Sequence, residues 1–247
     1  MKTTSLLAAL AALALAALAG AQTPAAPATP APLTAADAPA LHQQGIERLQ
    51  QKNAKEAVEF AEKATKADPT KPEYFSQLGI ALSQRMNEVP FTQMAMLSVK
   101  MKKAFEKSIA LDPKHLTGLI GLARFYTNAP EIAGGSLEKA KEFADRVRAL
   151  DELLGEIELG HVAFKGEDYA GALPHYQAAV ALKPENPGLR NICGQTLAKL
   201  GHKDEARAQF EAALKLKPDF EAAKKALAEL DAPAAPEATT AAPTPKG

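Results

Sequence analysis

Tryptophan is absent from the 247 residues, cysteine occurs once, and neither charge is in excess: 29 Lys and Arg stand against 29 Asp and Glu. A net charge of zero gives no electrostatic footprint for DNA, RNA or an anionic membrane as the main partner. A single cysteine, Cys193, excludes an intrachain disulfide framework and a cysteine-built zinc site. It stands beside Gly194, where a small core residue is expected rather than a nucleophile. The five histidines (42, 115, 161, 175 and 202) show no metal-ligand spacing. Glycine-rich phosphate loops, nucleophile elbows and paired-carboxylate contexts are missing as well. The residues therefore point to no catalytic centre, no cofactor and no metal.

Long apolar runs are scarce too. The one at the start, Leu6 to Ala19, has 14 residues, short of the roughly 18 to 20 a membrane span needs. Lys2 precedes it and Ala19-Gly20-Ala21 follows, a small-x-small pattern. Residues 1–21 thus read as a secretory signal peptide cleaved before Gln22, giving an exported protein, periplasmic or secreted, with no integral span in the mature chain. Residues 22–40 and 232–247 are Ala/Pro/Thr tracts without Phe or Tyr. Such tracts cannot bury enough apolar surface to offset ordering entropy, so both read as disordered, the first as a linker and the second as a tail.

The body, 41–231, repeats. Gly160, Ala172, Tyr176, Ala179 and Pro184 recur 34 residues later as Gly194, Ala206, Phe210, Ala213 and Pro218. Gly45, Ala57, Ala61, Ala64 and Pro69 keep the same spacing. With insertions, Gly79 leads to Met101, Phe105, Ser108 and Pro113, and Ala123 leads to Ala140, Ala144, Val147 and Glu152. Apolar spacing within each half is helical, as in Phe210, Ala213, Leu214 and Leu216. Each unit is two helices: small residues allow close approach, a bulky one fills the gap, and proline resets the chain.

This grid resembles the tetratricopeptide repeat family. It is carried by Leu78-Gly79, Leu159-Gly160 and Cys193-Gly194, the Ala57/Ala140/Ala172/Ala206 series, and Pro69, Pro113, Pro184 and Pro218. The family's first-helix Trp is missing throughout, with Phe75 standing in once. The resemblance implies an all-α, right-handed superhelical solenoid of antiparallel helix pairs. Five units are expected at about 38–71, 72–115, 116–152, 153–186 and 187–218, closed by an amphipathic cap at 219–231.

The family pattern also implies an inner groove lined by the first helix of each pair. Its candidates are Ile80, Ile120, Arg124 and Asn128 in the first half. Ile157, His161, Phe164 and Lys165 follow, then Asn191, Gln195 and Lys199. An apolar strip with basic residues toward the C-terminal half suits a peptide or helix with an acidic group or free carboxylate. The carboxylate clamp of chaperone-binding relatives is not carried over, because His42 and Ile46 stand at the matching places.

The two insertions depart from the pattern and should emerge on one edge. The first, 85–100, holds Met86, Met94 and Met96 and reads as a longer second helix after a Pro-containing turn. Its methionines suit either a contact surface or gap-filling. The second, 125–140, places Ser136 as a helix cap after a tight Gly134-Gly135 loop. That stretch resembles one in exported bacterial members of the family. Met94, Met96 and Ser136 are the candidate edge residues. The leading expectation is a non-catalytic exported scaffold for a protein or peptide. A self-assembling envelope subunit, or an enzyme with its site at the insertions, are the alternatives.

Overall fold

The computed structural model describes residues 32–231. The expected signal peptide, the linker up to residue 31 and the 232–247 tail lie outside the described residues. Within them are eleven α-helices and no strand. They pack as five successive antiparallel pairs and a final single helix.

Repeat 1 is α1 (Ala38–Gln50) and α2 (Ala54–Ala67), and repeat 2 is α3 (Pro72–Met86) and α4 (Phe91–Leu111). Repeat 3 is α5 (Leu116–Asn128) and α6 (Leu137–Arg148), and repeat 4 is α7 (Glu152–Lys165) and α8 (Tyr169–Leu182). Repeat 5 is α9 (Pro187–Lys199) and α10 (Lys203–Leu216), followed by α11 (Glu221–Asp231). Each helix packs chiefly on its neighbours in sequence, and the first helices of repeats 1 and 2, 2 and 3, and 3 and 4 also touch. This is a solenoid: its core is a continuous seam rather than a centre.

The array begins earlier than the composition of 22–40 suggests. A 3-10 turn at Ala35–Asp37 is closed by the Asp37 carboxylate accepting from the Thr34 backbone and hydroxyl. Helix α1 then starts at Ala38, which is fully buried against Ala64 and Tyr74. Alanine and proline at 38–40 are apolar enough to cap the first repeat, and Pro39 lies in a first helical turn, where a missing N–H costs nothing.

The fixed small positions explain the close packing. Ala57, Ala61, Ala64, Ala140, Ala144, Ala172, Ala179, Ala206 and Ala213 have no exposed surface. A Cβ added at Gly160 would meet the Tyr176 ring at 2.6 Å, and one at Gly194 the Phe210 ring at 2.6 Å. Both rings are 1% exposed. Phe105 does this twice: a Cβ at Gly79 would come within 2.5 Å of its ring, and one at Gly121 would overlap it further. Repeats 1 and 3 have Ala61 and Ala144 where repeats 2, 4 and 5 hold a ring, and in repeat 1 the space above Gly45 is taken by Gln77 from the next repeat.

Helix ends follow local chemistry. Asn53, Ser136, Asp151, Asp168 and Asn186 cap α2, α6, α7, α8 and α9 by accepting backbone N–H bonds. Pro69, Pro113, Pro184 and Pro218 each follow a helix end by two residues, blocking its continuation. The turn inside each regular pair uses a left-handed residue at one place: Lys52 (φ 58), Glu167 (φ 61) and Gly201 (φ 81).

The insertions take different forms. The first becomes three elements: the end of α3, a turn through Pro90, and the extra turns that make α4 21 residues long. Met86, Met94 and Met101 fill space against Leu82, Val89 and Leu97, with Val58 of repeat 1 alongside. Met96 instead points outward, 58% exposed. The second insertion ends α5 at Asn128, makes a 3-10 turn at Glu131–Ala133 and returns through Gly134 in the left-handed region (φ 89). Gly135 lies so close to the Ala129 carbonyl that any Cβ would overlap it. The loop is fastened where Ser136 donates its N–H to the Tyr126 carbonyl at 2.9 Å. Tyr126 in turn stacks on Phe143, 5.6 Å between centroids at 6°.

Candidate functional site

Residues of α3, α4 and α5 line a cavity of about 610 Å³, within the usual range of ligand sites. Its apolar wall is formed by Ile80, Met86, Met101, Phe105, Ile120 and Phe125. Ser83, Gln84, Asn87, Ser98, Asn128 and Arg124 supply its polar groups. Four of the groove candidates, Ile80, Ile120, Arg124 and Asn128, therefore meet here. The two insertions also reach it, the first through Asn87 and Ser98 and the second through Ala129 and Pro130. Groove and insertion edge, expected as separate surfaces, share this wall.

Arg124 differs from the sequence expectation. Its side chain is 56% exposed, but the guanidinium is engaged: Nε and Nη2 donate to the same Glu158 oxygen, at 2.9 and 2.6 Å. Glu158, from α7, is 1% exposed. Burial alone would raise its carboxyl, but neighbouring His161 and Arg124 outweigh this and hold it below the ordinary carboxylate range. The His161 Nδ1 lies 3.9 Å from the other Glu158 oxygen.

This pair belongs to a series of polar clips between successive first helices. Gln77 of α3 bonds His42 of α1 twice: its Oε1 lies 2.6 Å from His42 Nδ1, and its Nε2 donates to the His42 carbonyl at 2.9 Å. Gln77 and Glu158 both stand two places before their repeat glycine and are nearly fully buried. At the start of α5, His115 Nε2 meets Ser76 Oγ at 2.9 Å. Neither Gln77 nor Glu158 is marked as an inner-layer residue by the repeat spacing alone. The signal was present, because Arg124 and Glu158 are 34 residues apart, one repeat length.

The C-terminal candidates do not line the cavity. Phe164 packs edge-on against Tyr169 and Tyr176, so it belongs to the core of repeats 4 and 5. His161 meets Tyr176 at 6.0 Å between centroids, and Ile157 is half-buried. Lys165, Gln195 and Lys199 are exposed, with the Lys199 ammonium over the Tyr169 ring. Asn191 is 5% exposed, and its Oδ1 is buried without a hydrogen-bond partner. Of the edge candidates, Ser136 is the α6 cap, accepting from Lys139 N at 3.3 Å. Met94 is packed, and Met96 faces outward.

Among the described residues no group of three or more His, Cys, Asp or Glu could hold a metal. None of their helices is long and apolar enough to cross a membrane. Burial pushes the Cys193 thiol up to about 11, which removes its thiolate at neutral pH.

Comparison with known proteins agrees with this architecture. Residues 38–71 and residues 163–230 each match a family described as tetratricopeptide repeat. Over 134 residues the chain is 31% identical to Protein FlbA of Caulobacter vibrioides, a match spanning 52% of this chain and 22% of that protein. The chain thus spans about a fifth of that relative's length. Among solved structures, a thermophilic TPR protein of Thermus thermophilus is 19% identical, over 78% of this chain and 98% of that one, with a TM-score of 0.64. For pilF of Pseudomonas aeruginosa the values are 18%, 79%, 90% and 0.58. YrrB, described as a TPR protein with an unusual peptide-binding site, gives 16%, 78%, 92% and 0.52. At these identities the structures speak for the fold alone. The described residues form a solenoid of the tetratricopeptide type, with repeat sequences matched at 38–71 and 163–230.

Proposed function

We propose that the protein is a non-catalytic scaffold that holds a protein or peptide partner in the cavity between α3, α4 and α5, and that it works outside the cytoplasm. The observation that carries this is the convergence of first-helix residues Ile80, Ile120 and Asn128 with both insertions around one cavity. A regular repeat lacks those insertions, so the chain's own departures from its pattern are what build the far wall. Apolar depth with a few polar groups at the rim is how repeat scaffolds recognise extended segments. Residues 1–21 support export, by the charge of Lys2, the Leu6–Ala19 run and the Ala19-Gly20-Ala21 pattern.

The test is capture from an envelope extract with wild type and with Ile120→Glu as bait. Loss of specific partners by the variant is expected; equal recovery of every partner would sink the reading. N-terminal sequencing of exported protein should begin at Gln22.

A second reading has its own observation. Phe91 is 85% and Ile132 100% exposed, one on each insertion, with Met96 and Val99 also turned outward on α4. Large exposed apolar side chains favour association, so self-assembly through this edge is the alternative. Light scattering over a concentration series separates the two, because a scaffold of the first kind stays monomeric.

A further inference from the structure

The polar groups of the cavity carry almost no net charge, and this narrows the occupant. Arg124 is the one ionisable residue of its lining. Glu158 neutralises it through two hydrogen bonds to one oxygen. Charged side chains next in sequence to lining residues Gln84 and Met101 are also paired. Arg85 pairs with Glu88 at 2.7 Å, and Lys102 with Glu106 at 3.6 Å. A carboxylate entering the cavity would lose its hydration, yet it would meet a guanidinium whose field is cancelled by a buried anion on the same side. A neutral segment loses far less and gains the apolar wall. The donors that remain suit uncharged acceptors. Arg124 Nη1 takes no part in the Glu158 pair. Asn128 uses its Nδ2 on the Arg124 carbonyl at 2.9 Å, which leaves its Oδ1 for a donor.

Resting on the reading that this cavity holds a partner, we propose that the partner inserts one bulky apolar side chain from an uncharged extended segment, and that the Arg124–Glu158 pair makes the cavity discriminate against acidic segments. Glu158 is thus a specificity determinant acting through Arg124. This replaces the acidic partner that the basic residues of the sequence suggested.

The probe is a library of acetylated, amidated peptides of about ten residues. Each carries a central Leu, Met or Phe, flanked either by Ala, Ser, Thr and Gln or by Asp and Glu. Binding is read by fluorescence anisotropy at low salt and at about 0.5 M salt. For wild type, uncharged peptides should bind at least about fivefold tighter than their acidic counterparts, with little salt dependence. Glu158→Gln should abolish or invert that preference, because Arg124 is released with its charge uncompensated. Asn128→Asp changes an exposed rim position and should leave the fold intact while weakening acidic peptides further. Acidic peptides binding wild type as tightly as neutral ones would overturn the proposal, as would a preference unchanged in both variants. Ser83→Trp, at an exposed lining position, separates the two levels. If every peptide fails to bind wild type, or binds this blocked variant equally, the cavity reading itself fails.

Discussion

Arg124 donates from two nitrogens to one oxygen of Glu158, across one repeat length of sequence and between two first helices. The partners are unequal: Arg124 is more than half exposed, whereas Glu158 has 2% of its side chain in contact with solvent. Removing one is therefore not equivalent to removing the other. Arg124→Ala leaves a buried carboxylate without its main counter-ion and should cost about 3 kcal/mol at neutral pH. Glu158→Gln leaves an arginine that can turn into water and should cost about 1.5 kcal/mol. Urea denaturation of both variants checks the order.

The same pair sets an acid dependence. The folded Glu158 carboxyl lies below its unfolded value of about 4.5, so its contribution to stability is complete above that value. It is lost as pH falls through the folded pKa. Thermal melts of wild type and Glu158→Gln should therefore differ most near neutrality and converge in acid. A constant difference across that range would show that the carboxylate charge plays no part.

Gly79→Ala and Gly121→Ala should each destabilise by about 1 to 3 kcal/mol, because both Cβ atoms would enter the Phe105 ring. In a Phe105→Leu background the penalty should shrink, since the smaller side chain yields space. A double-mutant cycle measures that coupling directly.

Lys52 and Glu167 occupy left-handed turns that Gly201 occupies without strain in repeat 5. Glu167→Gly should raise stability by a few tenths to about 1 kcal/mol, and Gly201→Ala should lower it by about 1 kcal/mol. Melting temperatures moving in opposite directions are the expected result.

Cys193 should resist thiol reagents in the native protein and label fully only on unfolding, because burial keeps it protonated. Labelling kinetics in increasing urea would follow the opening of repeat 5.

Most of the fold was legible in the sequence, because glycine, alanine, ring and proline recur at fixed distances and each has a single mechanical task. The longer α4 and the Ser136 cap were legible for the same reason: Met94, Leu97, Met101 and Phe105 keep helical spacing, and serine follows Gly134-Gly135. The site was less so. Ile80, Ile120, Arg124 and Asn128 were reachable from the family grid, but a grid assigns faces, not partners. It could not show that Glu158 reaches back one repeat to neutralise Arg124. Nor could it show that Ser98 and Pro130 approach the same cavity from separate insertions, since that depends on how each excess of chain is folded away. Nor does it show that Asn191 is nearly buried and that Phe164 packs on Tyr169 and Tyr176, because faces on a short helix grade into the seam.

The Phe105 ring wedged between Gly79 and Gly121 has a consequence for motion. Repeats in such an array can in principle fray one at a time from either end. Here one ring closes both the α3 side and the α5 side, and its cluster runs on to Leu159 and Val162 of α7. Repeats 2 and 3 should therefore open together or not at all. Amide exchange would find a slow, cooperative block at 74–147, flanked by faster ends at α1 and α11. A partner held between α3 and α5 would then rest on the stiffest stretch of the chain, so little ordering entropy is lost when it arrives.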